Sequence, residues 1–320
     1  MVRGTPGRVK GGWLLVFLLA GARLAAEPAA PSDLRRLSIE SGGHGRQVWV
    51  FAPKPGRGRR PAVLALCGSQ GVSEMRTITD RGLEKAAARD GWVVAYPEPY
   101  RFQWNDGRDV PSYPVFKEGI DDGAFLAALI DRLVLEERVD PKRVFVAGYS
   151  IGGMMAQRFA CEHPERVAAA ASVAGTLPLN VSRRCAAKAP VPMLLILGDK
   201  DPFQRYKDGY LKAGPFRRGL ILGPEASAGF WAKTDGCGPR PRPSRLPDRD
   251  KTDESSVRLT RYADCRGGAE VRLYEVEGGG HTWPGGRTSS GMFVGGAVNK
   301  DFDASSTLRE FFLLESGPAR

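Results

Sequence analysis

Residues 146–164, VAGYSIGGMMAQRFACEHP, hold a serine, Ser150, with a glycine two residues to either side. Taken alone, such a pentapeptide often arises by chance, so its neighbours decide how it is read. The run KRVFVAG (142–148) before it has the apolar, β-branched and aromatic character of a strand. GGMMAQRFACEH (152–163) after it repeats its apolar positions at helical spacing. Ser150 therefore falls on a strand-to-helix turn. A sharp turn of this kind needs residues without bulk where backbone segments cross, which Gly148 and Gly152 supply, and it lifts the hydroxyl clear of the sheet edge as a nucleophile. The first N–H groups of the helix, with the positive end of its dipole, then lie beneath the reacting carbon.

The pattern continues outward. QVWVFAP (47–53), PAVLALCG (61–68), GWVVAYPEP (91–99), RVAAAASVAG (166–175) and VPMLLILG (191–198) are short apolar runs, most of them too continuous to have a solvent face. GIDDGAFLAALIDRLVLEERV (119–139) is amphipathic at helical spacing. Strands alternating with helices predict an α/β fold, a mainly parallel sheet covered by helices on both faces. LRRLSIESGGHGRQVWVFAP (34–53) reads as an antiparallel edge hairpin turning around Gly42 to Gly45. SVRLTRYADC (256–265) and EVRLYEVEG (270–278) are the last strand signals before a helix at DASSTLREFFLLE (303–315). GPRPRPSRLPDRDK (238–251) reads as a solvated loop. There is no internal repeat and no break that would separate a second core, so residues 27–320 are expected to form a single catalytic domain.

The N-terminus sets the compartment. Arg3, Arg8 and Lys10 precede an apolar run from Trp13 to Ala22, and small residues follow up to Ala25 and Ala26. That is the layout of a secretory signal peptide over residues 1–26, cleaved after Ala26. The run is shorter than the roughly 20 residues of a membrane span, so no stable membrane anchor is expected after cleavage, and the mature chain is expected to be extracellular or periplasmic. Of five cysteines, Cys161, Cys185, Cys237 and Cys265 fall into two nearby pairs. In an oxidising compartment these are expected to bridge as Cys161–Cys185 and Cys237–Cys265, leaving Cys67 as a buried strand-end thiol. No cysteine or histidine spacing suits a metal, and no cofactor is implied. The formal charge of +11 raises the question of nucleic acid, but the basic residues are scattered and form no nucleic-acid motif. The charge points instead to solubility or to attraction towards acidic surfaces.

Only three histidines can serve Ser150 as a base. His163 stands at the far end of the helix after Ser150, about 20 Å away at ~1.5 Å rise per residue. His44 sits in the edge-hairpin turn. His281 remains, in the glycine-rich loop EGGGHTWPGG (277–286), where Trp283 offers an apolar wall to a substrate. A carboxylate to orient the imidazole is expected after the strand LLILG, in GDKDPF, which offers Asp199 and Asp201. Asp201 lies further into the turn, and Asp199 is the alternative, as a turn residue bonded to backbone. The chain order Ser, Asp, His is that of α/β-hydrolases. Backbone N–H donors for an oxyanion are expected at Ser69, in the glycine-punctuated turn LALCGSQG (64–71), and at Ile151.

Together, GYSIGGMM, LGDKDP, DGCG and YEVEGGGHTWPGG resemble the secreted esterase family that contains polyhydroxybutyrate depolymerases and feruloyl esterases, over residues 45 to 315. The resemblance implies a nucleophile at Ser150, an acid at Asp201 and a base at His281. The family's Gly-Thr-x-Asp turn is here Gly198-Asp199-Lys200-Asp201, which keeps the final acid in place. Where relatives commonly have His-Gly, this chain has Cys67-Gly68.

The expectation is a secreted serine esterase that acts on soluble hydroxyacyl or aromatic acyl esters, small or oligomeric, without nucleic acid as a partner. A serine peptidase of the same fold and a noncatalytic secreted binding protein are the alternatives. The oligomeric state is not legible.

Overall fold

The computed structural model describes Met1 and residues 34–315 except 55, 57, 208 and 289–294. Two units are distinguished, Met1–Ala30 and Pro31–Arg320, and the fold is that of the second. The signal-peptide reading lies outside the described residues.

The chain opens with the expected hairpin. β1 (Arg35–Ser41) pairs antiparallel with β2 (His44–Phe51) across a turn at Gly42 and Gly43. β3 (Arg60–Leu66) follows, then α1 (Gly71–Ile78), α2 (Gly82–Asp90), β4 (Val93–Pro97), the short α3 (Pro114–Lys117) and α4 (Asp122–Glu136). β5 (Val139–Tyr149) runs into α5 (Ile151–Glu162). Next come β6 (Ala169–Val173), α6 (Leu179–Arg184) and β7 (Met193–Gly198). Three short strands, β8 (Gln204–Arg205), β9 (Tyr210–Ala213) and β10 (Phe216–Leu220), form a separate small sheet. α7 (Pro224–Thr234), β11 (Arg242–Arg245), β12 (Ser256–Tyr262), β13 (Val271–Glu277) and α8 (Ala304–Glu315) complete the chain.

The ten-stranded main sheet has the order β1-β2-β4-β3-β5-β6-β7-β13-β12-β11. Its centre, β4 to β13, is parallel, and both edges are antiparallel. β3 shows why the central strands lack polar alternation. Its Ala62, Leu64 and Leu66 pack with Phe125, Leu129, Phe159 and Trp231 from α4, α5 and α7. The intervening Val63 and Ala65 pack with Met75, Leu83, Leu308 and Phe312 from α1, α2 and α8. Both pleats of the strand are dry, so every position must be apolar.

One reading is corrected here. The stretch at 238–251 is not all loop, because Arg242–Arg245 form the edge strand β11. All four residues are exposed and one is Pro243, a composition suited to an edge strand, so no buried alternation marks it. The small sheet β8–β10 carried no strand signal either, since its strands are short and mix charged with apolar residues without alternation.

Disulfides join Cys161 at the end of α5 to Cys185 after α6, and Cys237 after α7 to Cys265 after β12. Among the described residues no helix is long and apolar enough to cross a membrane.

Candidate active site

Parallel register assembles the site. Leu66 on β3 lies opposite Gly148 on β5, so the turns that leave these two strands emerge side by side and bring Ser69 next to Ser150. Val276 on β13 lies opposite Gly198 on β7, so the Asp199–Asp201 turn and the Gly278–His281 loop also emerge together. The pair β3/β5 is where successive connections diverge to opposite sides of the sheet, and such a switch point opens a crevice at the carboxyl ends of the strands.

Ser150 sits between β5 and α5 with φ 57° and ψ −123°, a conformation that non-glycine residues rarely adopt. Neighbouring contacts enforce it. A Cβ on Gly148 would stand 2.1 Å from the carbonyl oxygen of Gly152, and one on Gly152 would stand 2.1 Å from that of Leu66. The backbone segments touch, and no side chain fits between them. Ser150 N–H donates to Val173 O at 2.9 Å, which fixes the turn to β6.

His281 Nε2 lies 2.9 Å from Ser150 Oγ, and its Nδ1 lies 2.6 Å from Asp201 Oδ2. A carboxylate only accepts, so Nδ1 carries the proton and Nε2 is left bare towards the hydroxyl. The other Asp201 oxygen, Oδ1, accepts from the N–H groups of Phe203 and Gln204, both at 2.8 Å. The carboxylate therefore has donors on both sides in a buried position. The imidazole is held from all directions. Its ring packs against Tyr149 at 5.2 Å and meets Phe203 edge-on at 5.0 Å. The backbone N–H of His281 donates to Gly295 O, and its carbonyl accepts from Tyr149 Oη at 2.7 Å. Burial pushes the Tyr149 phenol well above its ordinary value, so it remains a donor.

Asp199 does not approach the imidazole. Its Oδ1 accepts from Gly278 N–H at 2.7 Å and so ties the two neighbouring turns together. His44, at the start of β2, faces Tyr100, and His163, after α5, packs on Phe159.

Ser150 opens into a cleft of about 110 Å³ whose apolar wall includes Met75, Tyr113, Ile151, Phe203 and Leu211. Ser69 and Ile151 both line it. Ile151 begins α5, and its N–H therefore has no intrahelical acceptor.

Cys67 turns away from the cleft. Burial, and then the charge of Glu98, push its thiol well above its ordinary value, while its carbonyl accepts from Trp104 Nε1 at 2.9 Å. Trp283, expected to flank a substrate, is instead wholly buried and donates from Nε1 to Ser305 Oγ at 3.1 Å. It is absent from the lining of this cleft and supports the Tyr149 ring from behind, at 6.4 Å. A flat indole beside a catalytic loop looks the same in sequence whichever way it faces.

Sequence reasoning missed the far wall, which comes from the 100–113 loop and from β9. Arg108, with Asp106 bound to its Nε at 2.8 Å, is buried there and donates from Nη1 to Arg218 O at 3.1 Å, clamping the small sheet to the body. The glycines at 209 and 214 were the one local sign of a hairpin. Among the described residues no group of histidine, cysteine and carboxylate side chains could hold a metal ion.

A hydroxyl on a strained turn, a bare imidazole nitrogen facing it and backbone donors at its side form a constellation fitted to acyl transfer. Comparison with known proteins agrees in class. Residues 47–211 match the Dienelactone hydrolase family. The chain is 32% identical over 262 residues to "Putative esterase NocK" of Nocardia uniformis subsp. tsuyamanensis, which covers 79% of this chain and 74% of that protein. It is 30% identical over 203 residues to feruloyl esterase B of Piromyces equi, which covers 62% of this chain but only 35% of the relative, so about a third of that enzyme is spanned. Among solved structures, an acetyl xylan esterase from Aspergillus awamori superposes with a TM-score of 0.54 at 16% identity, covering 78% of this chain and 94% of the other, a likeness of fold alone. The strand order, the strained turn at Ser150 and these matches lead to one statement: the chain belongs to the dienelactone hydrolase family, has the α/β-hydrolase fold and is a carboxylic-ester hydrolase.

Proposed function

We propose that this protein is an exported serine esterase that cleaves short or aromatic acyl esters through Ser150, His281 and Asp201. The observation that carries the reading is the continuous relay from Ser150 Oγ to His281 Nε2 (2.9 Å) and from His281 Nδ1 to Asp201 Oδ2 (2.6 Å), at the floor of a small apolar cleft.

In this mechanism Ser150 Oγ attacks the ester carbonyl while His281 Nε2 takes its proton. The oxyanion accepts hydrogen bonds from the N–H groups of Ile151 and Ser69, and the imidazolium is stabilised by Asp201. The imidazolium then gives its proton to the leaving alcohol, and an acyl group remains on Ser150. Water, deprotonated by the same imidazole, attacks that acyl carbon and the acid departs. The strained φ of Ser150 supports the role, since backbone strain of this kind gathers at functional turns. Two disulfides support export, because they persist in oxidising compartments.

The acyl classes follow from the cleft and the relatives. A cavity of about 110 Å³ suits an acetyl to hydroxybutyryl group or part of an aromatic ring, and relatives are named feruloyl and acetylxylan esterases. The test compares hydrolysis of p-nitrophenyl butyrate, methyl ferulate and hydroxybutyrate oligomers with clearing of crystalline polyhydroxybutyrate and with cleavage of a peptide amide. Turnover of the soluble esters is expected. Efficient clearing of the solid, or peptide cleavage with the esters barely touched, would contradict the reading.

A further inference from the structure

β9 and β10 form a hairpin on the wall of the cleft, and their register sets Lys212 directly opposite Arg217. Residues directly opposite in an antiparallel pair share a face, and like charges there destabilise the pair. Both side chains are exposed, and neither has a carboxylate partner among the described residues. Arg217 is nonetheless held in place. Arg217 lies over the Tyr210 ring at 4.4 Å. On the adjoining position Arg218 donates to Ser112 Oγ at 2.8 Å and packs over Tyr113 and Phe216, both at 4.9 Å, while its carbonyl is gripped by Arg108. Of the other charges in the cleft, Arg108 is paired with Asp106, and Glu74 enters from α1.

A pair of cations set opposite each other by strand register is unfavourable until an anion lies between them. Lys212 lines the cleft but Arg217 does not, so the pair begins at the rim and continues outward. The anion it takes therefore belongs to a part of the substrate that stays outside while the ester enters. We infer that Lys212 and Arg217 form a carboxylate subsite for an acidic polysaccharide, a uronate-bearing chain whose hydroxyls carry the acyl groups that are removed. The inference rests on the esterase reading above. The occupant must carry an ester as well as a carboxylate that stays outside the cleft, and the rings of Tyr210 and Phe216 among the cations suit the faces of sugars, which favours polysaccharide over nucleic acid.

The test measures kcat/KM of the full chain on acetylated polygalacturonate and on acetylated xylan of equal ester content, with p-nitrophenyl acetate as the neutral reference. At low salt the acidic polymer is expected to be preferred about tenfold, and the preference should fall to about twofold in about 0.5 M NaCl as the charges are screened. K212Q/R217Q is expected to show that lowered preference already at low salt, with a Tm unchanged or raised because the like-charge contact is gone. R242Q/R245Q removes the same charge from the edge strand β11 and should keep the preference. If the first double variant does not fold, K212Q and R217Q singly decide: each is expected to lower the low-salt preference, and a preference unchanged in both would overturn the subsite. Equal, salt-independent rates on both polymers, with p-nitrophenyl acetate still cleaved, would overturn the subsite alone. Loss of all ester cleavage would overturn the esterase reading and the subsite with it. Stronger inhibition by RNA than by deacylated polygalacturonate, or the same preference with a small monocarboxylated ester, would overturn the assignment to an acidic polysaccharide.

Discussion

Asp201 gives one carboxylate oxygen to His281 Nδ1 at 2.6 Å and holds the N–H groups of Phe203 and Gln204 with the other. The acid is thus part of the turn that carries it, and the imidazole inherits its orientation from two main-chain bonds. Asp199, two residues earlier, bonds to Gly278 N–H instead. Asp201→Asn is expected to lower kcat by roughly 10⁴-fold, because an amide donates to Nδ1 and leaves the wrong tautomer facing Ser150. Asp199→Asn is expected to keep kcat within about threefold, since its amide oxygen still accepts from Gly278 N–H and only the charge is lost. Steady-state kinetics on an aryl ester distinguish the two carboxylates. Equal losses would refute the assignment.

The disulfides predict a separable stability effect. Each closes a loop with a sequence separation of 24 or 28 residues, for which the chain-entropy model gives about 3 kcal/mol. Cys161→Ser/Cys185→Ser and Cys237→Ser/Cys265→Ser should each lower the stability in urea by about that amount, while kcat of the folded fraction changes little, because neither bridge touches the cleft. A variant that loses kcat without losing stability would show that the bridge positions the site.

Asp235, after α7, provides a pH test. Burial raises its carboxyl to about 7, against the pull of its bond to Val191 N–H and of Arg266, and its Oδ2 is buried without a hydrogen-bond partner among the described residues. The folded protein thus holds this proton more tightly than the unfolded chain, whose aspartates titrate near 3.9. Its contribution to stability is greatest below about pH 4, is lost as pH rises towards 7, and stays lost above. Asp235→Asn should be neutral at pH 4, where the native group is protonated, and stabilising at pH 8. Thermal unfolding at the two pH values checks the sign. A variant destabilised at pH 8 would show that the carboxylate is needed in its charged form.

How much of this was legible follows from which residues carry more than one constraint. The Gly148 and Gly152 positions are dictated by backbone contact, and the strands are apolar on both pleats, so the fold and the Ser150 turn could be read from composition and spacing. His281 was reachable by elimination among three histidines. Asp201 and Asp199 could be ranked by their place in the turn and by the family resemblance, but not by contact, because their partners His281 and Gly278 lie 80 and 79 residues further along the chain. Trp283 misled, since its burial depends on α8 and Ser305, far along the chain. The Lys212–Arg217 pair was invisible because its hairpin is short and mixes charged with apolar residues, which leaves no periodicity to read.

The central claim is that Ser150 is the acylated residue. Treatment with a fluorophosphonate, followed by peptide mass spectrometry, is expected to give a single adduct on the peptide containing Ser150, with esterase activity lost in proportion to labelling. Ser150→Ala should be folded by circular dichroism, unlabelled and at least roughly 10³-fold less active. An adduct on another residue, or esterase activity that persists in folded Ser150→Ala, would contradict it.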